Sequence, residues 1–256
     1  MSKDEQDGGF ITHLTELRKR LIHSFICLFI FFIICYYFSE NLYSFLVEPY
    51  AKVVKANGLD RRLIFTALQE TFLTYVKVSF FGAFFITCPF ILIQIWKFIA
   101  PGLYKHEKNA LLPYLILTPI LFFLGGLLVY YLIMPLAINF FLSFESTGLT
   151  TNLPIQLEVK VNEYLSLIMT LIFAFGISFQ LPVVLSLLAR IGIINSDFLK
   201  EKRRYVVVII FLVAAILTPP DPISQIGLAI PLLILYELSI ISVRFIEKKN
   251  LKSTNA

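Results

Sequence analysis

Arg204-Tyr-Val-Val-Val-Ile-Ile-Phe-Leu-Val-Ala-Ala-Ile-Leu-Thr-Pro-Pro-Asp-Pro-Ile-Ser-Gln225 opens an apolar stretch that runs on to Val243 and stops at Arg244. Read as one helix, the stretch is ~58 Å long at 1.5 Å per residue, about twice the ~30 Å hydrocarbon core of a bilayer. Thr218-Pro-Pro-Asp-Pro222 interrupts it, and consecutive prolines end a helix. The stretch therefore reads as two antiparallel spans, Tyr205–Thr218 and Ile223–Val243. The first reaches only ~21 Å, and a short span thins the bilayer around it.

Working outward, four further apolar blocks are long enough to cross: Leu21–Phe38, Phe72–Trp96, Leu111–Met134 and Tyr164–Leu188. The composition agrees. Hydrophobic residues make up 58% of the 256 and charged residues 15%, against roughly a quarter charged in a soluble domain. The excess apolar surface requires lipid as its solvent. The first block follows about twenty mostly polar residues and has no small-residue cleavage site behind it, so it is expected to remain as a span. The expected architecture is all-α, a single integral membrane domain over 1–256 with six spans and a C-terminal tail at 244–256.

Lys and Arg in short flanks set orientation. Sixteen fall on the side that holds both termini and five on the other, with Lys77 inside a block. Both termini are thus expected in the cytoplasm. The basic balance, +5 overall, suits a membrane surface. It does not suit nucleic acid, because the cations are spread over several loops rather than gathered on one face. The outer loop Ser39–Thr71 carries Leu42, Phe45, Leu46, Val53 and Val54 near helical spacing, which predicts short interfacial helices. A second outer loop is expected from about Pro135 to Glu163.

Enzyme signatures are absent: no Gly-rich phosphate loop, no His-Glu-x-x-His, no serine elbow. His13, His23 and His106 are too far apart to suggest a metal site, and Cys27, Cys35 and Cys88 sit in apolar runs as small hydrophobes. No catalysis and no cofactor are expected. Transport work by this chain would draw on a partner or an ion gradient.

Several polar positions stand out against this background. In His13-Leu-Thr-Glu-Leu-Arg-Lys-Arg-Leu21, Leu14, Leu17 and Leu21 share a helical face. Lys19 and Arg20 read as anchors at the inner interface. Glu16 does not serve the orientation rule, so it either binds a cationic partner or pairs with Arg18 or Arg20. Glu107 makes the same case in the short inner loop Phe98-Ile-Ala-Pro-Gly-Leu-Tyr-Lys-His-Glu-Lys108, after the Pro101-Gly102 turn. A guanidinium–carboxylate contact is charge-assisted and geometrically specific, so the two acids suit a pair of arginines; the alternative is neutralisation by Lys105 or Lys108. Gln180 lies mid-span before Pro182, where an amide seeks an interhelical hydrogen bond. It either docks a partner helix or makes an internal contact. Asp221, Gln225, Glu70 and Glu237 are further polar groups at or near membrane depth, each a functional candidate.

Together these residues resemble the TatC family, the multispanning receptor of the twin-arginine protein translocase. The resemblance covers nearly the whole chain. Its anchors occur in family order: His13-Leu-Thr-Glu-Leu-Arg18, Glu48-Pro49, Phe98 through Glu107, Phe123 through Pro135 with Tyr130 between, Phe175-Gly-Ile-Ser-Phe-Gln-Leu-Pro182, and Thr218-Pro-Pro-Asp-Pro-Ile-Ser-Gln225. The resemblance implies a concave, cup-like bundle with short fifth and sixth spans, in a bacterial inner membrane. It implies binding of precursor proteins through twin-arginine signal peptides, and export of folded proteins powered by the proton-motive force. It also implies single-span partners of the TatA and TatB type, in a larger complex holding more than one copy. By motif position, Glu16 and Glu107 contact the signal arginines and Arg18, Phe98 and Leu103 support that site. Pro49, Glu70, Tyr130, Asp221 and Gln225 fall at outer or structural positions. Gln180 falls on a membrane-facing position near partner helices. Many family members carry Glu there; Gln keeps the hydrogen bond and cannot titrate. Two other classes remain in view. A small-solute secondary transporter would use Gln180 or Asp221 in its path, but the paired repeats of such transporters are not visible. A structural membrane scaffold is the third.

Overall fold

The computed structural model describes residues 3–99, 108–146, 153, 155–218 and 222–254, with side chains described outside 3–13, 97, 99, 108–112 and 249–254. The chain is mostly helical. In order it forms α1 (Lys3–Tyr37), α2 (Ser39–Ala56), β1 (Leu63–Ile64), α3 (Glu70–Ile99), α4 (Lys108–Leu128), a π-helical turn (Val129–Ile133), α5 (Met134–Leu142), β2 (Val159–Lys160), α6 (Val161–Ser178), α7 (Leu181–Arg190), α8 (Ser196–Leu217) and α9 (Pro222–Thr254). Two compact units result: Met1–Leu42 with Tyr75–Pro119, and Tyr43–Thr74 with Ile120–Ala256.

By length and composition, five stretches among the described residues suit a membrane span: Leu14–Tyr37, Glu70–Trp96, Pro113–Leu142, Val161–Arg190 and Pro222–Lys248. Three expectations change at this point. The predicted span Tyr205–Thr218 is the second half of α8, a helix of 22 residues and so ~33 Å long. Its first half carries Lys200, Lys202, Arg203 and Arg204, so the helix is long and only its apolar part is short. The predicted span Leu111–Met134 does not end at Pro135. The backbone widens into a π turn, in which the Met134 N–H bonds the Val129 carbonyl, and this lets Pro135 sit in the first turn of α5, where its missing N–H costs nothing. The predicted span Tyr164–Leu188 is two helices. Pro182 lies in the first turn of α7, and its ring and missing donor break the ladder at Phe179-Gln180.

In the first unit, α1 from Leu21 onward is apolar almost all round, and Phe25, Phe29 and Ile33 are more than half exposed. Such a helix is stable where lipid is the solvent. Its buried contact is narrow: Cys35 is 4% exposed, and the ring of Phe32 meets that of Phe80 on α3 at 6.4 Å.

The second unit has the larger core, with Phe122, Met134, Ile168, Leu171, Phe175, Val183 and Leu228 fully buried. Helices α4 and α6 cross at two glycines. A Cβ on Gly125 would lie 2.8 Å from the Phe175 carbonyl oxygen, and one on Gly176 would lie 2.7 Å from the Phe122 ring. Small residues at a crossing let backbones approach where no hydrophobic effect drives helices together. Helices α7 and α8 both pack on α9. The α8–α9 pair is antiparallel: the Glu247 carboxylate accepts from the Ser196 N–H at 2.8 Å and hydroxyl at 2.6 Å. The Tyr236 hydroxyl donates to the Leu199 carbonyl at 2.7 Å.

The two loops expected on the outer side interlock. β1 pairs β2 in parallel, Leu63 opposite Val159 and Ile64 opposite Lys160. Arg61 donates to both Glu145 oxygens, at 3.2 and 3.0 Å, and the Leu157 N–H donates to the same carboxylate at 2.7 Å. The predicted helix in the first loop is α2, which buries Leu46, Val53 and Val54. Pro49 lies inside α2 and has no N–H for the carbonyl of Phe45, four residues back. The hydroxyl of Tyr130 lies 2.8 Å from that carbonyl and supplies the missing donor, while its ring stacks on Phe45 at 4.5 Å. Tyr130→Phe therefore lowers stability by about 1 kcal/mol, read as a fall in the thermal midpoint in micelles. Adding Pro49→Ala recovers part of the loss, because the new N–H reaches Phe45. An additive double variant would count against this account.

Candidate functional site

In the first unit, Glu16 and the cations around it occupy the stretch of α1 that precedes its fully apolar run. Helical spacing puts Glu16 one turn before Arg20, and of the two partners left open by the sequence the structure selects Arg20. Its Nε donates to Glu16 Oε1 at 3.1 Å, and Nη2 donates to the same oxygen. The third nitrogen, Nη1, donates to Gln94 Oε1 on α3 at 3.0 Å. Glu16 and Arg20 keep 38% and 23% of their side-chain surface exposed, so the carboxylate remains within reach of solvent. Arg18 and Lys19 are exposed.

A groove of about 290 Å³ opens beside this pair, between α1 and α3. Leu17, Leu21, Phe25, Ile91, Ile95 and Phe98 contribute its apolar lining, and Arg20, Ser24 and Gln94 its polar groups. The structure thus brings Glu16 and Phe98 to one neighbourhood. It adds Gln94, which the sequence reading passed over, and a role for Arg20 beyond anchoring. The signal for Gln94 was present: it is the lone amide in the apolar run Phe90–Trp96. Leu103 and Glu107 lie outside the described residues, as does Asp221.

The remaining candidates belong to the second unit. Glu48 joins Pro49 and Tyr130: its carboxylate lies 3.0 Å from the Tyr130 hydroxyl and 2.7 Å from Lys52 Nζ. The hydrogen bond from Lys52 and its charge hold this carboxyl below the usual range. Glu70 accepts from the N–H groups of Thr66 and Ala67 at 2.8 and 3.3 Å. It thereby closes the loop before α3, next to the positive end of that helix. Gln225 donates weakly to the Phe211 carbonyl across the α8–α9 pair, at 3.4 Å. Glu237 takes Arg203 at 2.8 Å across the same pair. Gln180 is 4% exposed. It sits at the α6–α7 corner, where its N–H donates to the Ile177 carbonyl and its carbonyl accepts from Val184, each at 3.0 Å. An amide expected on a lipid-facing surface is therefore enclosed in the fold, at the break between α6 and α7.

Comparison with known proteins places this arrangement. Residues 12–231 match the family described as Sec-independent protein translocase protein (TatC). The protein of that name from Rickettsia prowazekii is 50% identical over 239 residues, 93% of this chain and 94% of its own length. The one from Magnetococcus marinus is 47% identical over 245 residues, 96% and 87% of the two chains. A crystal structure of a twin-arginine translocase receptor, TatC, superposes with a TM-score of 0.77 at 38% identity, covering 92% of this chain and 99% of that one. The chain is a multi-pass membrane protein and belongs to the TatC family of Sec-independent protein translocase proteins.

Proposed function

We propose that this chain is the receptor subunit of a twin-arginine translocase in a bacterial inner membrane, taking precursor signal peptides at its cytoplasmic face. The observation that carries the reading is Glu16, which already holds the guanidinium of Arg20, a residue that lines an apolar groove. A carboxylate with that geometry recognises arginine more selectively than lysine, because only the planar fork meets it through two nitrogens. The groove beside it suits the apolar run that follows the charged part of a signal peptide. Glu107 supplies the second carboxylate, with Arg18, Phe98 and Leu103 in support.

In this reading the chain crosses the membrane six times with both termini inside. The length and antiparallel pairing of α8 support the sixth crossing, since α8 runs beside α9 from Ser196 at Glu247 to Phe211 at Gln225. The chain carries no catalytic centre. Single-span partners of the TatA and TatB type join several copies of it, and the proton-motive force drives export. Pro49, Glu70 and Tyr130 brace the outer loops, with Asp221 and Gln225 at the α8–α9 turn. Gln180 acts on partner helices through the α6–α7 corner that it builds.

Three measurements test this. A photoreactive residue at Glu107 labels a twin-arginine precursor and leaves a twin-lysine control unlabelled; equal labelling of both, or of neither, sinks the receptor assignment. A periplasm-active reporter fused after Ala256 stays silent; activity there reverses the topology. Gln180→Leu lowers the yield of single-span partners recovered with the chain, whereas Gln180→Glu keeps export; unchanged recovery with Leu rejects the role given to that corner.

A further inference from the structure

Glu16 is occupied. An exposed i,i+4 pair is a weak, fluctuating contact and by itself would call for no comment. Here the guanidinium is also held from a second helix, through Gln94, at 3.0 Å. All three of its nitrogens therefore have acceptors, two on Glu16 and one on Gln94. Among the described residues, Glu16 Oε2 takes no hydrogen bond. We infer that Arg20 is an internal stand-in for a signal-peptide arginine, an affinity-setting residue that decides how strongly a cationic ligand must bind before it takes Glu16. The inference rests on the receptor reading above and goes beyond it by assigning the competitor.

The exchange is physically balanced. An incoming guanidinium replaces Arg20 on Glu16 with contacts of the same kind. Arg20 is not stranded, because Gln94 Oε1 still accepts one of its nitrogens. Competition of this type multiplies the intrinsic affinity by the fraction of time that the carboxylate is open. It penalises every cationic ligand by the same factor. It therefore leaves the arginine-to-lysine ratio unchanged and lowers the absolute affinity of both. A lysine ligand, which offers one point charge instead of a fork, then falls below useful binding while a paired arginine stays above it.

The test is equilibrium binding of a fluorescent synthetic signal peptide to the full chain in micelles, at physiological salt where distant charges are screened. One peptide carries paired arginines before its apolar run and the other paired lysines. Arg20→Gln is expected to tighten both by the same factor, about two- to five-fold. Lys19→Gln, which removes the same charge from an exposed neighbour, is expected to leave both unchanged. In a Glu16→Gln background the gain from Arg20→Gln is expected to vanish. Arg20→Lys keeps the charge and loses the fork, so it gives a smaller gain and serves if the Gln variant does not fold. Wild-type chain that binds the two peptides equally overturns the receptor reading itself. Wild type that prefers arginine, with Arg20→Gln or Arg20→Lys no tighter than wild type, overturns only the stand-in role. So does a gain that persists without Glu16, or one that Lys19→Gln matches.

Discussion

A proline inside a helix leaves one carbonyl without its donor, and where that carbonyl is buried another partner must satisfy it. Much of this structure follows from that constraint. Pro49 removes the donor for Phe45, and Tyr130 supplies one from the helix system it packs against. Pro135 is admitted because the turn before it widens to a π-helix. Pro182 is admitted because the chain breaks and starts a new helix. Each answer positions a side chain: Tyr130 beside Glu48, and Gln180 at an enclosed corner.

Packing obeys the lipid solvent. With lipid as apolar as leucine, helices gain little from mere contact and must approach closely. Gly125 and Gly176 bring α4 and α6 to a distance that any side chain would obstruct. Helix α1 shows the opposite solution. It turns its Phe and Ile side chains outward and touches α3 along a narrow stripe, which leaves a groove at its polar end. That groove is lined by Arg20 and Gln94 as well as by apolar side chains, and Arg20 carries Glu16 beside it.

Much of this was legible in the residues. The apolar blocks and the oddity of an acid at Glu16 follow from composition and local rules. So did the helix α2, from spacing alone. Boundaries were less legible. Pro135 looked like an end and was a passage, because whether a proline stops a helix depends on a neighbouring turn that spacing does not record. The polar start of α8 was hidden because a run of Lys and Arg reads as a loop until a partner helix, here α9 with Glu247 as its cap on Ser196, shows it to be wound.

The sequence by itself determined that this chain lives in lipid, which segments are helical, and which polar residues need explaining, because hydropathy and backbone chemistry are local properties. Only the tertiary structure decided the long-range pairings: Arg20 with Gln94, Tyr130 with the carbonyl that Pro49 orphans, Arg61 with Glu145 across two loops, and Gln180 buried instead of facing lipid. Those depend on distances between residues 74 to 85 positions apart in the first three cases and on a proline-driven corner in the last. No local rule carries such information, since a hydrogen bond forms only where the folded backbone has already brought donor and acceptor within about 3 Å.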